Sequence, residues 1–587
     1  NSTVCLSSVG IGYQAFYANT SSGGAFTGVG HQVFKDNTSG SNNTGFGYQA
    51  GKSTTTGSQL VAIGYGALDS NTSGYNNVGV GSQALKANTS GTTNVAVGSN
   101  AMFSSTTGTG NCAVGNAALY YSTTGTNNVA IGNNAVEKLT TSQDNIGIGK
   151  NALYLKQTGN PSIAIGRDAL YNQSTGGYAV AIGYEAAKAA TTASTFVAIG
   201  YASQKHSTGD NNITVGGHTM QGASSSGSNN TAMGMQALAA HTSGNNNSCF
   251  GYQSGFDLTS GTGNSFFGHV AGANLTTANY NTAIGQGTLH YGTTYTRVSA
   301  VGFNALHYNT ADNNVALGYY ALFANTSGGN NNAIGTYALD ANTTGGYNNA
   351  VGQGCLTSNT TGNYNVAMGQ DALANNTTAS NNTAIGKSAL AANTTGHSNV
   401  AVGAQALDAN TTANNNTAIG FHNASGSQNT AVGSRALQDM TSGDDNTAVG
   451  YHALHTNTTA SDNTAVGSNA LFANTTGAGN TGVGQDALGD NTTAADNTAV
   501  GRSAGMNITT GTSNVCIGIQ AGRNLTSGSN NILIGNDPTP TTNSVSNQIT
   551  LGNTSTASFR CNVQTISSLS DARDKTNVID LPEGLDF

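Results

Sequence analysis

The most regular chemistry in this chain belongs to asparagine. Asn19, Asn37, Asn71, Asn88, Asn325, Asn342, Asn359, Asn376, Asn393, Asn410, Asn457, Asn474 and Asn491 each open an Asn-Thr-Thr or Asn-Thr-Ser triplet at one phase of a repeat. Every triplet is an acceptor sequence for an N-linked glycan, which would put the column on the surface of a secreted protein. The same column also suits a ladder, because Asn tolerates left-handed corners and amides stacked at strand spacing bond to one another. Both readings stand on the sequence. Other reactive residue types lack useful spacing. His206, His218, His269 and His452 follow no metal-ligand pattern. Asp and Glu number 25 in 587 residues, too few to argue a paired-carboxylate glycosidase site. Gly-x-Gly triplets such as Gly45-Phe46-Gly47 keep the repeat phase and do not form a separate phosphate loop. No cofactor or metal is expected, and no catalytic constellation within the repeat.

What positions these residues is a beat of 17. The motif Asn-Thr-Ala-Val-Gly recurs with 33 marker glycines from Gly12 to Gly552. Most intervals are 17, a few are 16 or 18, and the interval from Gly420 to Gly433 is 13. A short fixed period means one coil of backbone stacked on the next. A typical coil runs from Gly386 to Val402 and reads Gly-x-x-Ala-Leu-x-x-Asn-Thr-Thr-Gly-x-x-Asn-Val-Ala-Val. Two short extended pieces are implied, one ending at the marker glycine and one through Ala-Leu, with Gly- and Asn-rich corners between. The expected fold is all-β: a parallel β-solenoid or β-roll of about 33 coils, forming a rod on the order of 150 Å long. The marker glycine is expected at positive φ or at a close backbone approach. The 13-residue interval lacks the Ala-Leu half-turn, which predicts a kink or a narrowed coil.

Alternation along a strand exposes a difficulty. If Val466 points into its coil, Ala465 points out, and Ala470 and Leu471 face opposite ways if that segment is extended. Each coil then offers apolar side chains on both faces, although a narrow solenoid buries only the inward set. A repeated outward apolar column is covered most simply by association of copies side by side, and a closed homotrimer is favoured.

Composition excludes other classes. A net charge of −8 with only 17 Lys and Arg argues against nucleic-acid binding. No apolar run is long enough for a membrane helix, so no membrane insertion is expected. Polar composition alone could suggest disorder, but disordered tracts do not keep Val, Ile, Ala and Leu in fixed columns. Beginning at Asn1 without Met, the chain reads as a mature product or a fragment. The six cysteines, Cys5, Cys112, Cys249, Cys355, Cys516 and Cys561, lie many coils apart, so disulfides within one rod are not expected. Cys249 and Cys516 occupy an alanine position and read as small buried side chains.

The organisation is therefore a repeat rod over residues 1–552, a junction over 553–569 and a different segment over 570–587. The last contains Ser570-Asp571-Ala572-Arg573-Asp574-Lys575-Thr576-Asn577-Val578-Ile579. This segment resembles the start of the endosialidase-type intramolecular chaperone domain at the C-termini of phage tail fibres and spikes. The match covers about 18 residues of a domain that is considerably longer in that family. The resemblance implies a domain that assembles a trimer and then releases itself by cleavage, with Ser570 as nucleophile and Lys575 as the base taking its proton. The repeat is also similar to trimeric autotransporter adhesin heads, in the pattern Ala384-Ile385-Gly386 followed by Ala389. The coils of that family are shorter than 17 residues.

These features together predict a structural and adhesive fibre, a viral tail or surface fibre, located outside the cell or on a virion. Its partners would be copies of itself and a host-surface glycan or receptor. The alternatives are an extracellular glycoprotein filament of end-to-end solenoids, a trimeric bacterial adhesin head, and a carbohydrate-processing spike enzyme. The scarcity of carboxylates weighs against the last.

Overall fold

A computed structural model describes residues 7–20, 24–422, 426–558 and 560. The fold is an all-β parallel solenoid with one short strand per coil and no helix among the described residues. It divides into two compact units, 1–434 and 435–587. The first carries strands β1 (Ser8–Ile11) to β26 (Thr430–Val432), and the second carries β27 (Thr447–Val449) to β33 (Ile549–Leu551). Within each unit every strand pairs in parallel with the next in sequence. In the first unit, Thr383 lies against Val400, Ala384 against Ala401 and Ile385 against Val402. In the second, Thr464 pairs with Thr481 and Val466 with Val483.

The marker glycine needs both conditions anticipated for it. Gly386 has φ +135, and a Cβ there would lie 2.4 Å from the carbonyl oxygen of Gly403 in the next coil. Only a residue without a side chain lets the chain turn here at strand spacing.

The second extended piece is not a strand. In the coil from Gly386, Ser388 and Leu390 have φ of 56 and 52, so left-handed backbone flanks Ala389 on both sides and the segment is not extended. The segment is still bonded from coil to coil: Ser388 N donates to Gln370 O at 2.8 Å, and Leu390 N donates to Ala406 O at 2.9 Å. The left-handed turn removes the alternation of an extended chain. Ala470 and Leu471, expected to face opposite ways if extended, are both fully buried. A left-handed leucine costs about 1–3 kcal/mol, whereas burying the side chain returns about 1.5–3 kcal/mol and each backbone bond adds to that. Burial and bonding outweigh the strain.

The interior of the same coil holds Ala389, Leu390, Asn393, Asn399 and Ala401, all fully buried. Volume is conserved when these positions change. Where glycine replaces the leucine, as at Gly255, Gly272, Gly505 and Gly522, the next inward position is Leu258, Leu275, Ile508 or Leu525 in place of Asn, all buried. Phe266 occupies an alanine position beside Gly272, whose added Cβ would lie 2.8 Å from that ring. Close packing in a narrow tube enforces such exchanges.

The short interval leaves the strand register intact. Thr417 pairs with Thr430 and Ile419 with Val432, and Asn429 N donates to Asn416 Oδ1 at 2.9 Å. The missing residues are absorbed in the turn half of the coil, where residues 423–425 lie outside the described set.

Candidate functional site

Two columns of inward asparagine line each coil. The stronger one lies four residues before the marker glycine. Asn348 N donates to Asn331 Oδ1 at 2.9 Å, Asn348 Nδ2 to the same oxygen at 3.2 Å, and Asn348 Nδ2 to Gly362 O at 2.8 Å. Asn365 repeats the pattern on Asn348. The amide thus caps the strand entry, bonds to the coil before it and ties down the corner opposite. Sequence reading placed this residue within the repeat motif without assigning it that role. The available signal was its persistence directly ahead of a three-residue strand.

The second column contains the glycan candidates. Twelve of the thirteen, Asn37, Asn71, Asn88, Asn325, Asn342, Asn359, Asn376, Asn393, Asn410, Asn457, Asn474 and Asn491, are fully buried. Asn19 is partly exposed, and its Oδ1 accepts from Asn37 Nδ2 at 3.1 Å. Asn393 Nδ2 donates to Asn376 Oδ1 at 3.0 Å and to Gly396 O at 2.9 Å. A glycan on such an amide would have to occupy the tube itself, so the inward placement favours the ladder over the coat.

The ladder changes in mid-chain. Its column there contains Lys156, whose Nζ donates to Asn160 O at 2.9 Å, to Gln173 Oε1 at 3.4 Å and to Gly176 O. Burial pulls this ammonium down to about 8. His241 occupies the same column, with Nε2 on Gly244 O at 2.8 Å and Nδ1 on Ser225 Oγ at 2.9 Å. Burial lowers its pKa, and the Gly244 bond opposes that in part.

Ser570 and Lys575 lie outside the described residues, as do Cys5 and Cys561. Cys112, Cys249, Cys355 and Cys516 are free thiols. Burial raises Cys249 far above its ordinary value and Cys355 and Cys516 to about 12, so these are inert packing groups. Among the described residues no cluster of three His, Cys, Asp or Glu side chains could hold a metal ion, and no helix is long and apolar enough to cross a membrane.

The strand's middle residue points inward, leaving its first and last residues outside. Ala465 is buried and Val466 exposed. The residue before the marker glycine is therefore outward, and at all 33 markers it is Val, Ile, Leu, Met or Phe. Ile284, Leu317 and Met368 are 42, 48 and 44 % exposed. From β4 (Val61–Ile63) to β13 (Ile213–Val215) the residue three before the marker glycine is also Val, Ile or Cys, which doubles the column. Outward β-branched residues suit strands, but within each unit a column of large apolar residues repeated at every coil exceeds what a solitary soluble surface usually carries. Aromatic side chains also stack from coil to coil outside the strands, Tyr48 on Tyr65 at 5.4 Å one residue after the marker glycine and Tyr154 on Tyr171 at 5.0 Å five residues after it.

The chain matches no protein-family model and no curated protein. In each unit the geometry defines a solenoid with a hydrogen-bonded interior and an apolar outward face along its strands.

Proposed function

We propose that this chain is a structural and adhesive fibre protein, a viral tail or surface fibre, whose copies associate side by side through the outward strand face. The observation that carries the reading is the apolar residue before every marker glycine. In the first unit, 26 strands stacked at about 4.8 Å and about 10 Å wide present about 1,200 Å² per copy, against about 800 Å² per partner in a stable interface. Three copies in a closed ring is the arrangement implied by the resemblance to chaperone-matured fibres and adhesin heads. In the same reading, Ser570 and Lys575 serve a single self-release and no turnover of substrate.

The test places charge on the proposed interface without touching the tube. Ile334, Ile385 and Ile419 are exposed outward residues. Replacing all three with Lys should reduce the native mass from a trimer toward a single chain, because unpaired charges would be buried between copies. An unchanged mass would defeat the assignment of this face.

A further inference from the structure

The fifth residue after each marker glycine forms an outward column of mostly large side chains, and over the coils from Gly450 to Gly518 it reads His455, Phe472, Gly489, Met506 and Arg523. Gly489 is the only glycine in that column along the whole chain. Neither backbone conformation nor crowding requires it. Its φ lies outside the left-handed region, and an added Cβ would meet nothing closer than Asp486 O at 3.3 Å. The backbone through this position keeps its coil-to-coil bonds, Ala473 N to Gly489 O and Asp490 N to Met506 O, both at 2.9 Å. The ladder therefore lacks one rung of side chain where the scaffold would accept one.

The missing rung leaves a notch of about 200 Å³ lined by Phe472, Met506, Asn469, Asp486, Asp490 and His452 above Gly489. The Phe472 ring stacks on His455 at 5.2 Å and meets the tilted His452 ring at 5.7 Å, both from the preceding coil. The rung on its other side is Gly489, which has no side chain to stack on that face. The backbones at Phe472 and Met506 are two rungs apart, about 9.6 Å, and side chains held at that spacing would admit one ring between them and not two. Polar groups rim the gap. Asp486 Oδ1 accepts from Asn469 Nδ2 at 3.1 Å, which fixes both side chains, and Asp490 stands exposed at the mouth.

We infer that this notch binds one pyranose ring of a surface glycan. A sugar offers an apolar C–H face for the negatively polarised face of Phe472, and hydroxyl donors at its edge for carboxylate acceptors. The volume lies below the range of about 300–1,000 Å³ of drug-sized sites, as a single ring requires. A cationic ligand gains less, since the exposed Asp490 is screened by water and Asp486 already accepts a bond. The inference rests on the adhesive reading above and gives it a recognition site.

The full chain should be titrated with methyl glycosides of glucose, galactose, mannose and N-acetylglucosamine, observed by ligand NMR saturation transfer. At least one should bind with a dissociation constant of about 1 mM, the strength open to a dozen heavy atoms. Gly489→Leu, which refills the rung, should weaken that binding at least about tenfold, and Asp490→Asn should weaken it less. Unchanged thermal unfolding of both variants would show that the coil is intact. No glycoside bound, or binding indifferent to Gly489→Leu, would overturn the inference. Binding of benzylamine alone, abolished by Gly489→Leu, would also overturn it by making the notch a cation site. Sedimentation of the same samples reads association separately, so either reading can fail without the other.

Discussion

Replacing Asn348 with alanine removes one rung of the inner amide ladder, and the structure sets the cost. Four side-chain bonds are lost. Asn348 Oδ1 no longer accepts from Asn365 N at 3.0 Å or from Asn365 Nδ2 at 3.1 Å, and Asn348 Nδ2 no longer donates to Asn331 Oδ1 or Gly362 O. Most partners survive. Gly362 O keeps its bond from Asn359 Nδ2, Asn365 Nδ2 keeps Ala379 O, and Asn331 Oδ1 keeps Asn348 N. The Asn365 N–H alone is orphaned. A buried unsatisfied donor costs about 1–3 kcal/mol, and three further bonds at about 0.5 kcal/mol each bring the loss to about 2.5–4.5 kcal/mol. In a stack where each coil touches only its neighbours, that loss stays local. Hydrogen exchange read by mass spectrometry on coils Gly335 to Gly369 should therefore show the Asn365 amide exchanging about 70- to 2,000-fold faster, with distant coils unchanged. Thr361→Ala, at an exposed corner, should shift nothing beyond about 0.5 kcal/mol. A change at Asn365 below about threefold, or one spread evenly along the unit, would refute the ladder's role.

Gly369→Ala should cost about 3 kcal/mol or more, as its Cβ would fall 2.5 Å from Gly386 O at φ +133; pulse proteolysis should show cleavage opening at this coil. For His241, burial lowers the pKa below its ordinary 6.5, so the unfolded chain takes up a proton first and stability falls as pH drops below that value. His241→Asn, which restores the ladder amide, should reduce this acid sensitivity in thermal melts. Lys156 has the same sign at higher pH: with its pKa lowered from 10.5 to about 8, the folded coil loses its proton first and stability rises across that window. Lys156→Met should flatten that rise and raise the melting temperature at neutral pH, because the ammonium no longer has to be desolvated.

The period, the parallel stacking and the marker glycine were legible because each follows from one residue type at one spacing. The outward apolar column was legible in kind, since alternation demands an outward set, although the sequence could not say that Ala465 would be inside and Val466 outside. The turn half was not legible. Leu390 and Leu471 are poor candidates for left-handed backbone by intrinsic preference, and coil-to-coil bonding imposes that geometry on them. The sequon column was ambiguous because glycan acceptors and inward amides use the same residue, and only burial separates them. The notch at Gly489 was invisible for a different reason: among 81 glycines, one that is not required for turning carries no mark of its own.

The central claim is that copies of this chain associate through the strand face, and native mass tests it most directly. Light scattering on the purified chain, coupled to size exclusion, should return three times the 58.7 kDa chain mass. A single-chain mass, stable across concentration with the Val and Ile column exposed, would contradict the account.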